Sequence, residues 1–240
     1  MKITFIIPTY NEEKAIEKTL TCLTRGLNFP SEIIVSDDKS TDNTVLIARK
    51  YTDNVLVPKE KHKTIAANRN AGAKIAKGEY LVFLDCDCTI NDYNLFFTSA
   101  IKRFENDSNL VGLTGKLAVV PELETFPDKV IYSIFNFIHY VKNNILRIGE
   151  SSGKFQMIRK SAFERVNGFR EDLVTREDGD MFNRLSKVGR TFYDSNLVIF
   201  FSGRRAHQLG WPKLLFVWVI NSIWFAIFDK AYSKEWSQIR

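Results

Sequence analysis

In "EYLVFLDCDCT", residues 79–89, two carboxylates stand one residue apart where an apolar run ends. On a strand, Asp85 and Asp87 point to one side, with Cys86 and Cys88 opposite. Like charges at that spacing repel, and a hard divalent cation with oxygen ligands relieves them. Few further acids lie nearby in sequence, so Mg²⁺ or Mn²⁺ held by one or two carboxylates plus substrate phosphates fits better than a closed protein cage. Two other readings use the same letters: the nucleophile and acid of a phosphatase, or a polar exit from a strand. Cys86 and Cys88 make poor metal ligands, since nothing else supplies thiolates.

Other clusters have chemistry of their own. Asp37 and Asp38 can accept hydrogen bonds from a base N–H or a ribose hydroxyl, and Thr9 and Tyr10 can flank a base. A turn with helix caps at Ser40 and Asp42 is the structural alternative. Glu177, Asp178 and Asp180 crowd a helix start, where free N–H groups and the dipole stabilise carboxylates. There is no Gly-rich phosphate loop and no Gly-x-Gly-x-x-Gly, which argues against P-loop enzymes and dinucleotide oxidoreductases.

These residues need elements to hold them. The first half alternates: strand "KITFIIPTY", helix "NEEKAIEKTLTCL", strand "EIIVSD", helix "STDNTVLIARKY" opened by Ser40 or Thr41, strand "NVLVP", helix "TIAANRNAGAKIA", strand "EYLVFLD". Such alternation predicts an α/β fold with a mainly parallel sheet flanked by helices on both faces. Ligands then sit beyond the carboxyl ends of the strands, where "PTYN", "SDDKS" and "DCDCT" all fall. In the second half, "LVGLTGKLAVV" predicts a strand, Phe126 to Ile148 a helix, "GKFQMIRKSAF" a strand into a helix, and "NGF" a turn. Met181, Phe182, Leu185 and Val188 have helical spacing, which puts "TREDGD" at a helix N-terminus.

"IIPTYNEE", "VSDDKSTDNT", "AANRNAGAKIAKGEYLVFLDCD", "VNGFREDL" and "REDGDMFNRLSKVGR" together resemble family 2 glycosyltransferases, in order and spacing, over residues 1 to 195. The resemblance implies a GT-A-like fold and an inverting transfer from a nucleoside-diphosphate sugar, UDP- or GDP-linked. It implies that the first loop (Pro8, Thr9, Tyr10, Glu12) and the Asp37-Asp38 pair cradle the nucleotide, and that Arg69 faces it. Asp85-Cys86-Asp87 would bind the nucleotide-sugar, with Asp87 and Asp85 on Mn²⁺ or Mg²⁺. Glu177 would line the site and Asp178 would deprotonate the acceptor hydroxyl. Arg204, Arg205 and His207 follow the strand "LVIFF" and would neutralise the leaving diphosphate, with His207 as a third metal ligand. A basic membrane-facing flank is the other reading of the two arginines. The Gln-x-x-Arg-Trp signature of processive members is missing, which predicts single-sugar transfer. "DCDCT" also resembles the Asp-x-Asp-x-Thr of haloacid-dehalogenase-like phosphatases. Those place it at the first strand, and "GDMFN" has Asn183 where their later acidic motif wants Asp. A catalytically silent nucleotide-sugar or membrane adaptor is a further alternative.

Composition agrees with a globular enzyme: 240 residues, 45% hydrophobic and 26% charged, with a formal charge of +6 that favours anionic partners. No nucleic acid is expected among them. Three cysteines without zinc spacing predict a reducing compartment, and "ITFIIP" is too short for a signal peptide. Residues 1–210 read as the transferase domain and 211–240 as an apolar helical segment. "LLFVWVINSIWFAIF", Leu214 to Phe228, is shorter than the roughly 20 residues of a spanning helix. Arg204, Arg205, His207 and Lys213 precede it, and Lys230, Lys234 and Arg240 follow. Trp211, Trp218, Trp224 and Trp236 lie in or beside it. That pattern predicts an interfacial helix on anionic lipid at the inner face of the cell membrane, suited to a lipid-linked acceptor such as a polyprenyl phosphate.

Overall fold

The computed structural model describes residues 2–62 and 64–233; Lys234, Trp236 and Arg240 lie outside them. Strand β1 (Ile3–Thr9) is buried at all seven positions, as a central strand covered on both faces must be. Its side chains alternate between two cores: Ile3, Phe5 and Ile7 join one and Ile6 the other. Helix α1 (Glu13–Arg25) buries Ile16, Thr19, Leu20 and Leu23, a single stripe at helical spacing. Then come β2 (Ser31–Asp37), α2 (Thr44–Ala48), β3 (Val55–Leu56), α3 (Ile65–Ile75) and β4 (Tyr80–Leu84). β3, β2, β1 and β4 are parallel neighbours. Helix α2 is shorter than expected and begins after Ser40 and Thr41. The Ser40 hydroxyl donates to Asp37 instead, while Asp42 accepts from the Thr44 backbone N–H.

The second half completes the sheet with β5 (Cys88–Thr89), α4 (Tyr93–Asn106), β6 (Leu110–Val119), α5 (Phe126–Tyr140), β7 (Phe155–Arg159), α6 (Lys160–Arg165), α7 (Glu177–Ser186) and β8 (Arg190–Phe201). Helices α8 (Arg204–Leu209) and α9 (Trp211–Phe228) follow. The sheet order is β3-β2-β1-β4-β7-β6-β8-β5. β7 runs antiparallel to both β4 and β6, and β8 is parallel to β6. The sheet is therefore parallel in its first half and mixed in its second. The reversal of β7 matters for the site. Its beginning, not its end, reaches the rim where β1, β2 and β4 finish, and the ends of β6 and β8 arrive there too.

Two local expectations change. β4 stops at Leu84, and Asp85 to Asp87 form a turn closed by the Cys88 N–H donating to the Asp85 carbonyl at 3.1 Å. The helix expected over Phe126 to Ile148 is α-helical to Tyr140 and continues as a π-helical turn, Val141–Ile145.

Candidate active site

A cleft of about 1060 Å³ opens along this rim. Pro8, Thr9, Tyr10 and Glu12 enter it from the end of β1, and Asp38 from the end of β2. Arg69 comes from α3, Asp85, Cys86 and Asp87 from the turn after β4, Glu177 and Asp178 from α7, and Arg204 and Arg205 from α8.

Two expected residues take other roles. Asp37 is fully buried, and its oxygens accept from Thr9 Oγ1 (3.0 Å) and from the Ser40 N–H (2.8 Å) and hydroxyl (2.5 Å). It braces the loop, which leaves Asp38 to face the cleft. Asp38 accepts from the His62 N–H at 2.6 Å, and burial raises its carboxyl against that bond. Nor does His207 stand with the carboxylate pair: its Nε2 is 2.8 Å from Asp128 Oδ2. No group of three or more His, Cys, Asp or Glu suited to a metal ion occurs among the described residues.

The carboxylate pair is enclosed by cations. Arg69 donates to Asp85 Oδ1 (3.2 Å), to Glu177 Oε1 (3.0 Å) and to the Gly153 carbonyl (3.1 Å). A Cβ on Gly153 would fall 2.6 Å from Arg69 Nη2, so a larger residue there would push the guanidinium from its present place. Lys154 Nζ sits 3.2 Å from Asp85 Oδ2 and 2.8 Å from Asp87 Oδ1. Arg204 clamps Glu12 at 2.7 Å and lies 3.4 Å from Asp87, which also accepts from the Ser202 hydroxyl at 3.3 Å. Although burial opposes it, Lys154 and Arg204 hold the Asp87 carboxyl below the usual range. Burial pushes the Cys86 and Cys88 thiols well up, so both stay protonated and make poor ligands.

Lys154 escaped the sequence reading because "GKFQ" looks like an ordinary strand start. The only signal was its place, directly before a strand that must pair with β4.

Helix α7 opens on Arg176, in the left-handed region at φ 71°, and its first turn points Glu177 and Asp178 into the cleft. Burial and the adjacent Asp178 push the Glu177 carboxyl up to about 8, against the pull of Arg69. Burial raises Asp178 as well, opposed by Arg176 and Arg69. One Asp178 oxygen accepts from the Gly179 N–H at 2.8 Å. Arg176 is steadied by Glu150, which Arg176 and Lys142 keep ionised in spite of its burial. Asp180 points elsewhere, to Arg184 at 2.7 Å. A partly buried carboxylate with a raised pKa, facing a cleft, has the properties of a general base.

Oxygen donors on two converging carboxylates suit a hard divalent cation whose remaining ligands come from phosphates. The pair already draws in a cation, Lys154, so the donor set fits Mn²⁺ or Mg²⁺. The same cleft also has an apolar lining, with Leu117, Tyr132, Phe135, Phe201, Leu214 and Trp218.

Proteins of known fold and sequence resemble this chain. The solved structure of the mannosyltransferase PcManGT from Pyrobaculum calidifontis with GDP-Man and Mn²⁺ superposes with a TM-score of 0.76 at 20% identity, over 96% of this chain and 65% of that one. S. aureus TarS 1-349 in complex with UDP-GlcNAc gives 0.66 at 25% identity, over 83% and 58%. Both are glycosyltransferases of the GT-A type, which fixes the fold class. The O-antigen chain rhamnosyltransferase WbaN of Salmonella anatum is 30% identical over 196 residues, 78% of this chain; the match spans 61% of the relative's length. An Asp-x-Asp that follows the fourth strand of a GT-A-type sheet also removes the phosphatase reading, which needs it on the first. With the profile described as Glycosyl transferase family 2 matching residues 4–166, the chain belongs to that family.

Proposed function

We propose that the protein transfers a single sugar from a UDP- or GDP-linked donor to an acceptor hydroxyl or phosphate, with inversion at the anomeric carbon. One observation carries the reading: Arg69 ties Asp85 of the carboxylate pair to Glu177 on the opening turn of α7, so both chemistries face one cleft. Tyr10 and Asp38 at the β1–β2 end hold the base and ribose. Asp87 and Asp85 hold Mn²⁺ or Mg²⁺, which when bound neutralises charge on the departing diphosphate. Arg204 and Arg205 add positive charge at the same end. With a hydroxyl acceptor, Asp178 takes its proton as the oxygen bonds to the anomeric carbon and the bond to the diphosphate oxygen breaks; an ionised phosphate attacks without giving up a proton. Solved neighbours with GDP-Man and Mn²⁺ and with UDP-GlcNAc support the donor class and the metal.

The acceptor and the place of work belong to the same proposal. Helix α9, 18 residues long with mean hydropathy 1.5, is apolar enough to cross a membrane, yet only 11% of it is buried. Its stripe Leu214, Trp218, Asn221 and Ser222 faces the cleft, while Phe216, Val219, Ile223 and Ile227 are exposed. Phe126, Ile134 and Phe137 of α5 are exposed too, and α5 packs beside α9 through Phe135 and Trp218. Such a surface seats on the cytoplasmic face of the cell membrane and presents the apolar lining of the cleft to a lipid-linked acceptor such as a polyprenyl phosphate.

The test is a panel of UDP- and GDP-sugars with and without polyprenyl phosphate acceptors. Acceptor-dependent release of nucleoside diphosphate and an inverted product anomer by NMR are expected. Binding without turnover across the panel makes the protein an adaptor instead.

A further inference from the structure

The Asp85–Asp87 pair has a cation of its own. The Lys154 ammonium lies between the two carboxylates, at 3.2 Å and 2.8 Å, and the backbone holds it there. Leu84 and Phe155 are partners in the antiparallel β4–β7 ladder, so Lys154 is the next residue opposite Asp85. The Asp85 N–H donates to the Lys154 carbonyl at 3.3 Å, and the Cys88 thiol donates to the same oxygen at 3.5 Å. The ammonium lies over the Phe201 ring, 5.4 Å from Nζ to its centre. Around the pair, three cations (Arg69, Lys154 and Arg204) face the carboxylates of Glu12, Asp85, Asp87 and Glu177. A divalent ion arriving alone meets a pair whose charge Lys154, Arg69 and Arg204 already oppose at contact distance. Two donor phosphates change that balance, because they bring negative charge for both the metal and the ammonium.

We propose that Lys154 is a built-in counter-ion that holds the Asp85–Asp87 pair in the nucleotide-free chain and passes to the donor's phosphates when metal and nucleotide enter together. This rests on the metal-dependent reading above and adds an order to it: metal without nucleotide is excluded by Lys154, and the released ammonium becomes a contact to the leaving group. Lysine suits the exchange, since its single ammonium on a flexible stem can change partners where a forked guanidinium is held in place.

The experiment measures free Mn²⁺ by electron paramagnetic resonance during titration of the intact protein, with and without UDP or GDP. Wild type, Lys154→Met, Lys154→Gln, Lys154→Arg and the double variant Lys154→Met/Asp87→Asn are compared, with circular dichroism to verify folding. Without nucleotide, Lys154→Met and Lys154→Gln should bind Mn²⁺ at least tenfold more tightly than wild type. Lys154→Arg should stay near wild type, and the added Asp87→Asn should abolish the gain. Nucleotide should tighten Mn²⁺ binding severalfold in wild type and much less in Lys154→Met. Equal nucleotide-free affinity in wild type and both neutral variants, with nucleotide still tightening all of them, overturns the counter-ion role and leaves the metal reading standing. Mn²⁺ that binds none of the proteins, even with nucleotide, overturns the metal reading and this proposal with it.

Discussion

Asp178 and Glu177 are neighbours on one turn, but their partners divide the work. Glu177 is buried and bonded to Arg69, whereas Asp178 is partly buried and, among the described residues, its carboxylate accepts from the Gly179 N–H alone. Asp178→Asn keeps size and shape and removes the proton acceptor. We expect kcat to fall by about 10²–10⁴ with donor KM nearly unchanged. A larger loss from Glu177→Gln would assign the base to Glu177. Because burial raises Asp178, the fraction ionised declines sooner on acidification than for an ordinary carboxylate. The acid limb of kcat/KM should therefore lie above pH ~4, the usual carboxylate value. Stability has the opposite sign at Glu177. A folded-state pKa of about 8 means that its contribution is full below the ordinary carboxylate value and lost as pH rises through about 8. Melting curves should show wild type losing stability across that window and Glu177→Gln losing less; parallel curves would contradict the assignment.

At the scale of elements, one buried carboxylate clasps three helices. Asp128, in the first turn of α5, closes a capping box with Thr125, accepts from Trp211 Nε1 at the start of α9 and meets His207 of α8. Asp128→Ala removes the cap and the bonds to His207 and Trp211, which are only partly buried, so a loss of about 1–2 kcal/mol is expected by denaturant titration. An unchanged midpoint would mean that α9 is held elsewhere. The clasp matters because α9 is apolar on all sides. The polar interruption Asn221 is explained from within: it accepts from the Thr175 hydroxyl at 2.9 Å, next to the opening turn of α7. Trp218 packs on Phe135 and lines the cleft, so replacing it would confound membrane docking with acceptor binding. Phe216 and Ile223 are the cleaner choice. Changing both to Ser removes about 2 kcal/mol of apolar transfer at each, and should lower partitioning onto anionic liposomes more than tenfold in a sedimentation assay. Full recovery of the wild-type protein in the supernatant at low salt would leave the α5–α9 face without a membrane role.

For the molecule as a whole, the nucleotide site is assembled from both halves of the sheet, and its ligands should be thermodynamically coupled. If Asp87 and the donor phosphates share one cation, each ligand strengthens the other by the same factor. Calorimetry of UDP and GDP with Mn²⁺ or EDTA should show the metal-dependent part of the affinity lost in Asp87→Asn, with the fold intact. Equal binding in all four conditions would contradict a shared cation.

The βα alternation and the three polar clusters at strand ends were legible in the sequence, because both depend on local pattern. A buried strand reads as an apolar run, and successive right-handed crossovers bring every strand end to one rim. Asp38, Asp85 and Asp87 could therefore be placed around one cleft without coordinates, while Asp178 was placed there only by the family resemblance. Partners that join distant segments could not. Lys154 reaches Asp87 across 67 residues, and Ser202 reaches it across 115. The first exists because β7 pairs antiparallel with β4 and the second because β5 pairs antiparallel with β8, choices no local periodicity encodes. The same limit explains Asp37 and His207. Each is a chemically suitable ligand in sequence, and each is turned from the cleft by a nearer claim on its polar atoms, Ser40 and Thr9 for one and Asp128 for the other. Residue type and spacing determined which groups could do chemistry here; the pairing of remote strands decided which of them face the cleft and which are already satisfied, since hydrogen bonds to a buried carboxylate are set by whatever the packed fold brings within reach.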